Sequence, residues 1–339
     1  MTIMKSEPLP HTATADTLPV TLADIRNASA RINGRVAQTP LIHSGALSDH
    51  TGHPFHLKLE TRQPIGAFKL RGAMNAILSL DDGERRRGLV TASTGNHGRA
   101  VAYAARELGV PAIVCMSALV PANKVEAIRS LGAEVRIIGA SQDDAQTEVE
   151  RLVETHGLTA IPPFDNVDVV AGQGTIGLEI LEAIPDLGTV LVPLSGGGLA
   201  GGIAVAVKAL RPQTRLVGIS MERGAAMNAS IAAGRPVAVR EEQTLADSLG
   251  GGVGLSNHVT FTLCSNLLDD VILLSEGEIA EGIRHAWREE GEMVEGAGAV
   301  GIAAILAGKV ELSGPTVAIV SGGNIDPALH RSITEGADA

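Results

Sequence analysis

From about residue 55 onward, short apolar runs alternate with longer stretches whose apolar positions recur at helical spacing. The runs Phe55–Glu60, Leu89–Ala92, Ala112–Met116, Glu134–Ile138, Val190–Leu194, Leu216–Ser220, Val271–Leu274 and Thr316–Val320 are predicted strands. Between them, Val101, Ala104, Ala105 and Leu108 follow Asn96 at helix period. Val125, Ile128 and Leu131 do the same after Pro121, a proline suited to a helix start. Such alternation predicts βαβ units and an α/β protein built on doubly wound parallel sheets. Compact strand-helix repeats fill residues 88–165, and a second series runs to the end. The spacing therefore predicts a small mobile domain over 88–165, inserted into a larger one made of 1–87 and 166–339, with 1–20 a loose tail.

Composition narrows the core. Of 339 residues, 45% are hydrophobic but only 2% aromatic, so Ala, Val, Ile and Leu must fill the interior. Strands buried on both faces take that composition. A net charge of -11 with no basic stripe argues against a nucleic-acid partner. Arg85, Arg86 and Arg87 follow three acidic residues and read as a solvated loop. No apolar run reaches membrane-spanning length, and residues 1–20 lack the apolar block of a secretory signal. The two cysteines, Cys115 and Cys264, have no metal-type spacing and imply no disulfide framework, which points to a cytoplasmic protein.

The 40 glycines concentrate where strands end and helices begin, the natural walls of a ligand site in an open α/β sheet. Ser195-Gly196-Gly197-Gly198-Leu199 is either a tight turn or a loop whose N–H groups converge on an anion at a helix N-terminus. It is not a nucleoside-triphosphate loop, because no G-x-x-x-x-G-K-[ST] is present. Lys69, in Gly66-Ala67-Phe68-Lys69, is either a surface lysine or a pocket amine of lowered pKa that can condense with a carbonyl cofactor. Ser93-Thr94-Gly95-Asn96-His97 reads as a helix cap or as a carboxylate cradle. Ser321-Gly322-Gly323-Asn324 is by itself a turn, and its hydroxyl could meet a heterocyclic nitrogen.

Together and in this order, the four elements resemble the fold-type II, tryptophan synthase β-like pyridoxal-phosphate-dependent enzymes, and among them the threonine/serine dehydratase family. The resemblance runs from about residue 20 to 330. It implies pyridoxal 5'-phosphate as cofactor, held by Lys69, which would also remove the α-proton of the substrate. Phe68 would pack beside the cofactor, Asn96 would bond its ring oxygen, Gly196, Gly197, Gly198 and Leu199 would take its phosphate, and Ser321 would face its pyridine nitrogen. Ser93, Thr94, Gly95, Asn96 and His97 would hold the substrate carboxylate, with Glu295 close by. Thr94 also offers a hydroxyl where racemases of this fold place a serine, opposite the lysine. The implied reaction is β-elimination of hydroxide from a small β-hydroxy α-amino acid, releasing ammonia, in a homodimer or homotetramer.

Departures from the family pattern refine this expectation. Ile65-Gly66-Ala67 stands where Thr-Gly-Ser is usual. Ser220-Met221 and Ala226 replace residues that help bind a divalent cation, so no metal is expected. The stretches 246–254 and 220–224 look most like a hydroxyectoine-utilisation branch, which implies a substrate similar to 3-hydroxy-2,4-diaminobutyrate. The alternatives are a catabolic threonine/serine or 3-hydroxyaspartate dehydratase, a serine-type racemase, or a non-catalytic amino-acid-binding protein. Arg62, Gln63, Arg223 and the 246–254 loop are the candidate contacts to the substrate side chain.

Overall fold

The computed structural model describes residues 18–336 apart from 94 and 121. Ten strands are present among them: β1 (Leu41–His43), β2 (Phe55–Leu59), β3 (Leu89–Ala92), β4 (Ala112–Met116), β5 (Glu134–Ile137), β6 (Thr159–Ala160), β7 (Thr189–Pro193), β8 (Arg215–Met221), β9 (Asp270–Leu274) and β10 (Thr316–Val320). They form a six-stranded sheet in the order β1-β2-β10-β7-β8-β9 and a four-stranded sheet in the order β5-β4-β3-β6. Every pairing is parallel except β1 with β2, which adds an antiparallel edge. Strands β3, β7 and β10 are buried along their whole length, as expected where helices cover both faces of a sheet.

All eight predicted strands are found, with no end shifted by more than one residue. The Arg85–Arg87 run corrects the loop reading. It closes a short exposed helix, Asp82–Arg87, whose start is a capping box between Asp81 and Glu84. Both cysteines are buried, and burial pushes their thiols up, to about 11 for Cys115 and about 12 for Cys264. No helix among the described residues is long and apolar enough to cross a membrane.

Three helices are apolar on nearly every side and sit inside the molecule: Val167–Ala183, Gly198–Leu210 and Gly296–Leu306. Glycines set their spacing. A Cβ on Gly172 would lie 2.6 Å from the Arg71 carbonyl oxygen, so helix Lys69–Ser79 and helix Val167–Ala183 meet backbone to backbone. On its next face, Gly174 would meet the Gly202 carbonyl oxygen at 2.8 Å. Two glycine contacts therefore fix how far the Lys69 helix stands from the helix that begins at Gly198. On its other side the Lys69 helix packs Leu70, Met74 and Ile77 into one cluster with Val101 and Ile128, under the smaller sheet.

Candidate active site

A cavity of about 560 Å³ opens where β3, β7 and β10 end at their carboxyl termini. Its walls include Phe68 and Lys69, the loop after β3, the glycines after β7 and Ser321 after β10. Short backbone ties hold these segments in register. The Phe68 N–H donates to the Ser321 carbonyl at 3.0 Å, and Ala67 and Gly322 form an antiparallel bridge.

Lys69 opens its helix with its amine turned inward. Nζ donates to the Pro163 carbonyl at 2.7 Å and lies 5.3 Å from the centre of the Phe68 ring. Burial without a carboxylate partner lowers its pKa to about 8. A charged ammonium loses solvation there and the neutral amine does not, so a nucleophilic or basic amine becomes accessible near physiological pH.

Beside it, burial and then the Lys69 charge lower His97 to about 3, so its ring is neutral. Nε2 lies 2.8 Å from the Ile161 carbonyl, which can only accept, so Nε2 carries the proton. Nδ1 is left as a buried acceptor without a partner.

Asn96 is part of a polar chain across the cavity. Its Nδ2 donates to Glu295 Oε1 at 2.8 Å, and its Oδ1 accepts from Asn324 Nδ2 at 2.7 Å. Arg99 Nη1 in turn donates to Asn324 Oδ1 at 2.9 Å. Burial, then repulsion from Asp247, raises Glu295 to about 7, against the pull of Asn96 and Asn324. Ser93 Oγ accepts the N–H of Gly98, in the first turn of the helix that starts at Asn96, at 3.1 Å.

The Gly196–Gly198 loop leads into helix Gly198–Leu210, with Gly197 in the left-handed region at φ 85°. A Cβ on Gly196 would run into the Phe164 ring, and one on Gly197 would lie 2.8 Å from Cys264 Sγ. Only glycine fits this turn, which leaves N–H groups at a helix N-terminus facing the cavity. The residues suit a phosphorylated carbonyl cofactor on three counts: this cradle, the Lys69 amine of lowered pKa, and Ser321, a neutral hydroxyl nearly fully buried at the cavity wall.

Most residues nominated by sequence line this cavity: Phe68, Lys69, Ser93, Gly95, Asn96, His97, Gly196, Gly197, Gly198, Leu199, Glu295 and Ser321. Thr94 lies outside the described residues, as does Pro121. In the 246–254 stretch, residues 247–252 and Gly254 line the cavity too. Arg62, Gln63 and Arg223 do not. Arg62 pairs with Glu292, Gln63 is buried against Ala37 and Glu60, and Arg223 donates to the Gln243 carbonyl. A sequence cannot show which arginine faces inward; among the described residues it is Arg99 that lines the cavity. Phe164, Asn324 and Lys124 are further wall residues that sequence reasoning missed, although Asn324 closes the Ser321-Gly322-Gly323-Asn324 turn. At the site of the lost cation ligands, Ser220 and Met221 are buried while Glu222 is exposed near Lys309.

The profile of the family described as "Pyridoxal-phosphate dependent enzyme" matches residues 32–322. The chain belongs to this family. A Sinorhizobium fredii protein, named provisionally as a threonine dehydratase, is 59% identical over 94% of this chain and 96% of its own length. The L-threonine ammonia-lyase of Thermotoga maritima is 42% identical over 94% of this chain and 79% of its own. The solved structure of maize serine racemase superposes with a TM-score of 0.88 at 35% identity, covering 93% of this chain and 97% of the other. The fold is thus fold-type II, the cofactor is pyridoxal phosphate, and the protein is a pyridoxal-phosphate-dependent lyase of the threonine/serine dehydratase family. None of these relatives points to hydroxyectoine breakdown, so that narrower resemblance rests on its two short stretches alone.

Proposed function

We propose that the protein is an L-threonine/L-serine dehydratase, converting a β-hydroxy α-amino acid into a 2-oxo acid and ammonia. The observation that carries the reading is the convergence of Lys69, Asn96, the Gly196–Gly198 cradle and Ser321 on one cavity. The names of the relatives support threonine over the diamino acid expected from sequence.

Pyridoxal phosphate, when bound, supplies the electron sink that makes the α-proton acidic. Lys69 would hold the cofactor, and its amine, of lowered pKa, would accept that proton near neutrality. The N–H groups of residues 196–199 would hold the cofactor's phosphate. Asn96, fixed by its bonds to Glu295 and Asn324, would orient the ring. Ser321 would face the pyridine nitrogen with a neutral hydroxyl, which, unlike a carboxylate, would not hold that nitrogen protonated. The Ser93–His97 segment binds the substrate carboxylate. The domain division at 88–165, a cytoplasmic location and a homodimer or homotetramer remain part of this proposal; light scattering measures the last.

The test is ammonia release by the cofactor-loaded protein from L-threonine, L-serine, 3-hydroxyaspartate and 3-hydroxy-2,4-diaminobutyrate in parallel, with Lys69→Ala as control. Threonine or serine turnover that the variant loses by at least about 10³-fold supports the proposal. Preference for the diamino acid returns the hydroxyectoine reading, and interconversion of serine enantiomers without ammonia makes the protein a racemase.

A further inference from the structure

Between β6 and helix Val167–Ala183 runs a short irregular segment, residues 161–166, whose residues grip several different elements. The Ile161 N–H donates to Val90 at 3.0 Å, and its carbonyl meets His97. The Pro163 carbonyl takes the Lys69 amine. The Asn166 side chain caps the helix that follows. Phe164 and Asp165, in the middle, both act on the glycine cradle, from opposite sides.

Phe164 is the roof. Its ring lies where a Cβ of Gly196 would be, and its own Cβ would be 3.1 Å from one on Gly198.

Asp165 reaches the floor. Its Oδ1 accepts the backbone N–H groups of Val259 and Thr260, both at 2.9 Å, and its Oδ2 accepts that of His258 at 3.1 Å. These are the otherwise unpaired donors at the start of helix Val259–Leu267, and a carboxylate there also complements the helix dipole. That helix packs directly under the cradle. Thr260 Cβ and Cys264 Sγ would lie 3.0 and 2.8 Å from a Cβ on Gly197, Cys264 Sγ approaches the Gly197 carbonyl at 3.6 Å, and Leu263 touches Gly201. The chain reaches this helix from the 246–254 loop of the cavity wall.

We propose that Phe164 and Asp165 are positioning residues that clamp the glycine cradle and so set its affinity for phosphate. The roof acts by direct contact. The floor acts through a helix whose first turn Asp165 holds across more than ninety residues of sequence. Neither side chain needs to hydrogen-bond the phosphate itself. The clamp stabilises a backbone geometry, a left-handed Gly197 between two packed surfaces, in which the N–H groups converge before any ligand arrives. Preorganisation of this kind raises affinity by removing the cost of ordering on binding. The inference rests on reading residues 196–199 as the phosphate site.

The experiment uses the full chain, stripped of cofactor, and measures dissociation constants for inorganic phosphate, pyridoxal phosphate and phosphate-free pyridoxal. The variants are Asp165→Asn, Asp165→Ala and Phe164→Leu, with the melting temperature of each apoprotein recorded. Loss of an aspartate cap is expected to weaken phosphate and pyridoxal phosphate binding about tenfold. Pyridoxal binding is expected to stay within about twofold, because Lys69 and the ring contacts are untouched. The proposal is overturned if phosphate binding stays within about twofold of the parent while the melting temperature falls, which is what a merely structural cap does. It is also overturned if pyridoxal weakens as much as pyridoxal phosphate. Should Asp165→Ala fail to fold, Asp165→Asn, with the same shape and no charge, carries the test. If inorganic phosphate does not compete with pyridoxal phosphate in the parent itself, the cradle reading fails first, and that outcome is distinct from the others.

Discussion

Replacing Arg71 by Met tests whether a buried charge cluster underpins the lysine-bearing helix. Arg71 is two residues from Lys69 and 1% exposed. Its guanidinium bonds Glu60 through Nε and Nη2 at 2.9 and 2.8 Å, and Glu179 through Nη1 and Nη2 at 2.5 and 2.9 Å. Lys58 completes the balance, bonding Glu179 and the Thr39 carbonyl. Glu60 is fully buried. Burial pushes its carboxyl up, but the charge and hydrogen bonds of Arg71, with Thr39 and Lys58, outweigh that and leave it below its ordinary value. In Arg71→Met, Glu60 keeps only Thr39 and Gln63 as hydrogen-bond partners. Removing one partner of a buried pair costs roughly 3–5 kcal/mol, because a charge is left uncompensated in the interior. Urea unfolding at pH 7 measures this. The double variant Glu60→Gln/Arg71→Met should recover part of the loss, since a neutral amide needs no counter-charge. The pH dependence has a definite sign. A carboxyl with a depressed folded pKa contributes stability above about 4.5, which is lost as pH falls through the folded value. The gap between parent and variant is therefore widest at neutral pH and closes in acid. A loss below about 1 kcal/mol at pH 7, or a double variant no better than the single, refutes the reasoning.

Three further outcomes follow from the site. Because only the neutral amine attacks a carbonyl, covalent loading of pyridoxal phosphate onto the apoprotein should rise about tenfold per pH unit and level off above about pH 8. A rate that is flat from about pH 6 to 9 would contradict the buried-lysine assignment. Gly197→Ala forces a Cβ into a left-handed position 2.8 Å from Cys264 Sγ; it should cost about 1–3 kcal/mol in urea unfolding and weaken cofactor binding measured by fluorescence. For Glu295, held up near 7 by burial and Asp247, the folded state binds the proton more tightly than the unfolded state does. Parent stability should accordingly fall as pH rises from about 5 to 8, and Glu295→Gln should flatten that slope in unfolding titrations.

The elements that were legible in the sequence are those with enough residues to show a period. Strands such as β7 and β10, and the helix beginning at Asn96, declare themselves because burial demands apolar residues at every position or every helical turn. Strands β1 and β6, three and two residues long, carry no period to read, and tertiary pairing alone makes them strands. The motif residues were legible for a related reason. A backbone position whose Cβ would fall within 3 Å of a ring or a sulfur tolerates only glycine, and an amine that carries a cofactor must be lysine, so Gly196, Gly197 and Lys69 stand out as letters. What the tertiary structure alone decided is which side chains face one another. It turned Arg62 and Arg223 outward and Arg99 inward, buried Glu60, Arg71, Lys58 and Glu179 as one balanced cluster, and brought Asp165 to a helix start more than ninety residues away. Local sequence sets the period and the permitted backbone angles. The direction of a charged side chain is set by the balance of desolvation against partners that only the folded chain supplies.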